Sequence, residues 1–91
     1  MRLSWSLEKN ETLKARYGFG FEKVLKALDE GRLLERRRHP NVQRYPHQKQ
    51  LVVEIDEYAG VVPYVELETG IFMKTMFPSR RATRDFLGGG K

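Results

Sequence analysis

The apolar residues of this chain change their spacing once, and that change narrows the folds open to it. Phe21, Val24, Leu25 and Leu28 recur at i, i+3, i+4 and i+7, the stripe of an amphipathic helix. From Leu51 onward the apolar residues come instead in short, β-branched runs: Leu51 to Asp56, Val61 to Leu67 and Ile71 to Phe77. Glu57 to Gly60 and Glu68-Thr69-Gly70 separate those runs as turns. A helical period followed by a strand period implies an α+β domain, with helices packed on an antiparallel sheet.

Local signals sharpen the outline. Ser6 is placed to cap a first helix, with Glu8 in its first turn beside the positive end of the helix dipole. Gly18 and Gly20 break that helix after Arg16-Tyr17. Gly31 closes the second helix as a C′ residue. Leu33 to Arg38 reads as a short edge strand, and His39-Pro40-Asn41 with Tyr45-Pro46 as a loop. Ser79 caps a short last helix that runs to Leu87. The expectation is two N-terminal helices, a meander of three to four strands and a C-terminal helix. These form one domain over residues 1–87, with a flexible Gly-rich tail over 88–91. The expected register pairs Glu54 with Pro63 and Tyr64 with Lys74. It lays Leu51, Val53, Ile55, Val62, Tyr64, Phe72, Lys74 and Met76 on one face.

Ninety-one residues make one domain, not two. The chain has no cysteine, so neither disulfides nor thiolate chemistry is open to it. No apolar run approaches the ~20 residues of a membrane helix. The opening segment turns acidic at Glu8, too early for a signal peptide, which points to a cytoplasmic protein. The net charge of +5 lies wholly in the first half: Met1 to Arg44 holds eleven Lys/Arg against six Asp/Glu, and Tyr45 to Lys91 six against six. Such polarity favours nucleic acid or an acidic protein as partner.

Two segments carry the chemistry. In Lys74 to Arg84 a strand cation is followed by Ser79, Arg80, Arg81 and Thr83 at a helix start, where backbone N–H groups and guanidinium forks suit a phosphate. The same residues also read as solvated surface charge. In Arg36-Arg37-Arg38-His39, continued by Arg44, Tyr45, His47 and Lys49, arginines mix with rings that stack on unpaired bases. His39 is of the type that moves protons near neutral pH, or else an incidental loop histidine. Tyr64 is either a core ring with its hydroxyl at the rim or a platform beside Lys74. Glu54, Asp56, Glu57, Glu66 and Glu68 surround a hairpin and, with two histidines and no cysteine, form no recognisable metal spacing. Gly18-Phe19-Gly20 is too short for a nucleotide loop. No basic helix-turn-helix pattern supports a DNA-binding regulator.

Three stretches resemble the BrnT-like toxins of bacterial type II toxin–antitoxin pairs, which share the RelE-type fold. They are Glu8-Lys9-Asn10-Glu11 running to Arg16-Tyr17-Gly18-Phe19-Gly20-Phe21-Glu22, the strand–turn–strand from Leu51 to Val65, and Lys74 through Ser79-Arg80-Arg81-Ala82-Thr83. The loop from His39 to Pro46 departs from the shorter, more acidic loop of the plainest members, so the likeness is one of superfamily. The resemblance implies a metal-independent, cofactor-free endoribonuclease. It would cleave mRNA, free or on the ribosome, and be held by a small cognate antitoxin. It implies Lys74 and Arg80 at the phosphate, with His39 and Glu54 as acid–base candidates. Arg81, Ser79, Thr83, Tyr64, Arg37, Arg38 and Tyr45 would contact RNA. The alternative is a non-catalytic basic module that binds RNA or an acidic protein through the same face.

Overall fold

The structure is a computed structural model and describes residues 2–88. The last three positions of the expected tail, 89–91, lie outside the described residues, whereas Gly88 closes the last helix in the left-handed conformation.

The elements are β1 (Arg2–Trp5), α1 (Leu7–Tyr17), α2 (Phe21–Asp29), β2 (Leu33–Arg38), β3 (Gln48–Ile55), β4 (Tyr58–Leu67), β5 (Gly70–Met73), β6 (Phe77–Pro78) and α3 (Arg80–Leu87). The strands form one mixed sheet in the order β1-β5-β4-β3-β2, and β6 shares the β5 side of β4. The class is therefore α+β. None of the described helices is long and apolar enough to cross a membrane.

α1 and α3 begin where a serine side chain caps them. Ser6 Oγ accepts from Lys9 N–H at 3.1 Å and Ser79 Oγ from Ala82 N–H at 3.0 Å. α2 has no cap of its own, because Gly20 has no side chain. Asn10 of α1 supplies it from outside: its Oδ1 accepts from Phe21 N–H at 2.7 Å, and its Nδ2 donates to Glu22 Oε2 at 2.9 Å. The arrangement needs Gly20, since a Cβ there would lie 2.0 Å from Asn10 Oδ1.

The two faces of the sheet carry separate cores. α1 and α2 cover one face and bury Leu13, Phe21 and Val24 against Leu51, Val53, Ile55, Val62, Tyr64, Ile71 and Met73. Each large apolar side chain so buried contributes roughly 1.5–3 kcal/mol. α3 covers part of the other face with Ala82, Phe86 and Leu87 against Val52, Ala59 and Val61.

Three expectations are corrected. First, the sheet is not a pure meander, because β1 pairs in parallel with β5, Arg2 opposite Gly70 through Trp5 opposite Met73. Backbone approach is so close there that a Cβ on Gly70 would lie 2.0 Å from the Arg2 carbonyl oxygen. Second, the turn between β3 and β4 is Asp56-Glu57, both at positive φ (53° and 67°), and not Glu57 to Gly60. A two-residue hairpin turn of type I′ has that conformation at both positions, usually in Asn-Gly or Asp-Gly. Gly60, which suggested the turn, is instead buried in β4 opposite Val53. Third, the strand after the second turn ends at Met73, and Phe77–Pro78 forms a separate pairing.

The register differs accordingly. Gln50, not Glu54, faces Pro63, and Met73, not Lys74, faces Tyr64. The first shift is four residues, an even number, so Leu51, Val53, Ile55, Val62 and Tyr64 remain together on the core face. The second is one residue, and it exchanges Phe72 and Lys74 for Ile71 and Met73 in the core.

Candidate functional site

The helices leave one corner of their face of the sheet open, and the register decides what stands there. Arg36 lies opposite Leu51, and Arg38 opposite Lys49, which in turn faces Tyr64. Residues directly opposite share a face. Arg36, Arg38, Lys49 and Tyr64 therefore belong to the same face as the main core, beyond the reach of α2. They line, with Arg37, a cleft of about 290 Å³.

The floor is Tyr64, whose side chain is only 1% exposed and belongs to the core. Its hydroxyl oxygen accepts from both Arg36 Nε and Nη2, each at 3.4 Å. This bond, and the phenol's negative end beside it, hold the guanidinium above its already high ordinary value, so Arg36 is a permanent cation here. Because the oxygen is used as an acceptor, its hydrogen is left to point to another group. On the rim, Lys49 Nζ lies 2.6 Å from Glu66 Oε1. That hydrogen bond and charge, with Arg36 as a further cation, hold the Glu66 carboxyl below the ordinary carboxylate range.

Arg37 points its guanidinium elsewhere. Its Nε donates to Gln50 Oε1 at 2.9 Å, and Gln50 is buried. At the strand's end, the His39 and Tyr45 rings stack at 4.5 Å with 38° between planes, and the Arg44 guanidinium sits 5.6 Å from the Tyr45 ring. His39 Nδ1 accepts from Asn41 N–H at 2.9 Å, which places the proton of a neutral ring on Nε2. His39, just past the end of β2, does not line the cleft.

The remaining site candidates lie elsewhere. Lys74 is exposed, and its N–H donates to Pro63 O at 2.8 Å; Arg80 and Arg81 are exposed in the first turn of α3. Among the described residues none of these three takes part in an ion pair. Lys74 stands beside Pro63 while Pro78 stands opposite Gly60, three residues away along β4, or about 10 Å. The hydroxyls of that segment serve the fold. Thr83 Oγ1 donates to Ser79 O at 2.7 Å and accepts from Ala59 N–H at 2.9 Å, while Ser79 Oγ caps α3. Glu54 lies five residues along β3 from Lys49, about 16 Å, near Arg32. Among the described residues no three His, Cys, Asp or Glu side chains stand together as a metal site.

Sequence reasoning singled out Arg37, Arg38, Tyr45 and Tyr64, and the structure brings Arg37, Arg38 and Tyr64 to one cleft. Arg36 and Lys49 stood in the same basic segment but were assigned no role in the site, and Glu66 was weighed only as one of the hairpin acids. The signal for them was the β3–β4 register, which alone reveals that Lys49 stands beside Tyr64. Compared with family models, curated proteins and solved structures, the chain matches none.

Proposed function

We propose that this chain binds single-stranded RNA at the Arg36–Arg38–Lys49–Tyr64 corner and cleaves it without a metal, as the toxin of a RelE-like, BrnT-like toxin–antitoxin pair. The observation that carries the reading is the meeting of three cations from two strands around one phenolic hydroxyl on an uncovered sheet corner. A phosphodiester offers anionic oxygens to such a set. Arg36 and Arg38 grip them as planar forks, and Lys49 adds a point charge once it leaves Glu66. The loop of His39, Arg44 and Tyr45 offers stacking surfaces to the flanking bases, which an unpaired strand can present and a duplex cannot.

The reaction that fits is transesterification. The ribose 2′-oxygen attacks the adjacent phosphorus, the bond from phosphorus to the 5′-oxygen breaks, and a 2′,3′-cyclic phosphate and a 5′-hydroxyl result. The 2′-hydroxyl proton passes to water, and the departing 5′-oxygen takes a proton from Tyr64 O–H, which water then restores. The cations stabilise the charge that builds on the phosphoryl oxygens, commonly the largest single contribution to such catalysis. Tyr64 O–H is the proton donor in the cleft, while His39 lies outside it. Lys74, Arg80 and Arg81 serve as an outer basic surface that guides the strand. A small antitoxin that covers the basic corner is the partner this reading assigns.

The test is incubation of purified protein with single-stranded RNA in excess chelator, with products examined for cyclic phosphate ends. Cleavage that vanishes in Arg36→Ala with Lys49→Ala, while circular dichroism is unchanged, is the expected result. RNA left intact, with and without ribosomes, refutes the nuclease. Binding without turnover selects a non-catalytic RNA module, a reading that the placement of His39 outside the cleft favours.

A further inference from the structure

Among the described residues β2 ends the sheet and pairs with β3 alone. His39 N–H donates to Gln48 O at 3.1 Å, which marks that pair as a hydrogen-bonded one. Bonded and non-bonded pairs alternate along an antiparallel ladder. Arg37 and Glu35 therefore turn their backbone groups toward β3. Arg36 and Arg38, opposite Leu51 and Lys49, turn their N–H and C=O outward to the free edge.

The edge specifies its occupant in three ways. Its backbone presents donors and acceptors in alternation, which a second polypeptide strand can satisfy and a nucleic acid, offering mainly acceptors along its backbone, cannot. Its side chains are Arg36, Arg37 and Arg38, with Lys49 behind them on the cleft side, so the complementary strand is acidic. It also discourages a second copy of itself. Antiparallel self-pairing about Arg37 would set Arg36 against the other copy's Arg38 and Arg37 against Arg37, and like charges directly opposite destabilise a ladder. Leu33, 41% exposed at the start of the strand, adds an apolar contact for a β-branched neighbour.

We infer that the β2 edge is a docking site for an extended acidic segment of another protein. That segment adds as a strand beside Arg36–Arg38 and sets alternate carboxylates over Arg36 and Arg38. The geometry belongs to the strand, and the inference stands apart from RNA cleavage. A segment so placed lies on the rim of the cleft and closes it to a phosphodiester chain.

The experiment uses the intact, unmodified protein and a short capped peptide that alternates glutamate with valine. In one form all amides are free; in the other alternate amides are N-methylated on the edge that would face β2. The free form is expected to bind at least about tenfold more tightly than the methylated form. It is also expected to slow hydrogen exchange at the Arg36 and Arg38 amides and leave that of Arg37 unchanged. Equal binding of the two forms overturns strand addition, since charge alone then accounts for the affinity. Failure of both forms to bind at low salt overturns the site.

Discussion

Tyr64 shows how one side chain can serve two purposes. Its ring fills the core and its hydroxyl reaches the open corner, where it orients Arg36. The two contacts are long, so Tyr64→Phe is expected to cost less than about 1 kcal/mol of stability in urea unfolding. The same variant is expected to lose RNA cleavage, because it removes a proton donor and frees the Arg36 fork; full cleavage in a folded Tyr64→Phe would exclude the hydroxyl from the chemistry. Glu66 acts in the opposite sense, since it occupies Lys49 and repels phosphate. Glu66→Gln is expected to tighten RNA binding at neutral pH, measured by fluorescence anisotropy, and unchanged affinity would show that the ion pair does not compete. The pH dependence has a definite sign. Glu66 and Glu22 are both held below their ordinary value of 4.5, Glu66 by Lys49, and Glu22 by its own backbone N–H, then Asn10 and Lys14. A depressed carboxyl contributes stability above its unfolded value and loses it as pH falls through the folded one. Acid unfolding below about pH 4.5 is therefore expected to be shallower in the Glu22→Gln, Glu66→Gln double variant.

Asn10, Gly20 and Glu22 make a single joint between α1 and α2. Asn10→Ala leaves the buried Phe21 N–H without a partner, at a cost of about 1–3 kcal/mol. Gly20→Ala drives a Cβ into the same amide. The two variants are expected to be non-additive, with Asn10→Ala relieving part of the Gly20→Ala penalty in a double-mutant cycle; strict additivity would show the contact to be incidental. At the β3–β4 hairpin, Glu57 holds φ 67° without being glycine. Glu57→Gly is expected to raise stability by about 1 kcal/mol, read as a higher Tm. These joints also explain what was legible in the residue order. α2 and α3 were readable because their stripes and caps are local: Phe21 to Leu28, Ser79 to Ala82. The hairpin was not, because Asp56-Glu57 lacks the usual turn chemistry and Gly60 offered a false one. β1 was missed because Arg2 to Trp5 is too short to show a period and takes its identity from Gly70 across the sheet. The candidate site was half legible for the same reason. Arg37 and Arg38 stand in a visible run, but Lys49 joins Tyr64 only through the register. The residues that carry the family likeness around Asn10 and Gly20 turn out to hold helices together.

Across the whole molecule, charge is arranged by strand as well as by half. The +5 net charge includes three arginines in a row on one edge strand, with Lys49 beside them. If three of these cations neutralise phosphates, log Kd for single-stranded RNA should change with log salt at a slope of about 2. A slope near zero would remove phosphate contact from the account. The parallel pairing of β1 has a temporal meaning. Leu3 and Trp5 leave the ribosome well before the strand they dock beside, Gly70–Met73. Until then their apolar surface has no sheet to join. Closure over so long a span is a late event in folding, and this edge of the sheet is where a nascent or stalled chain should be most open to chaperones and proteases.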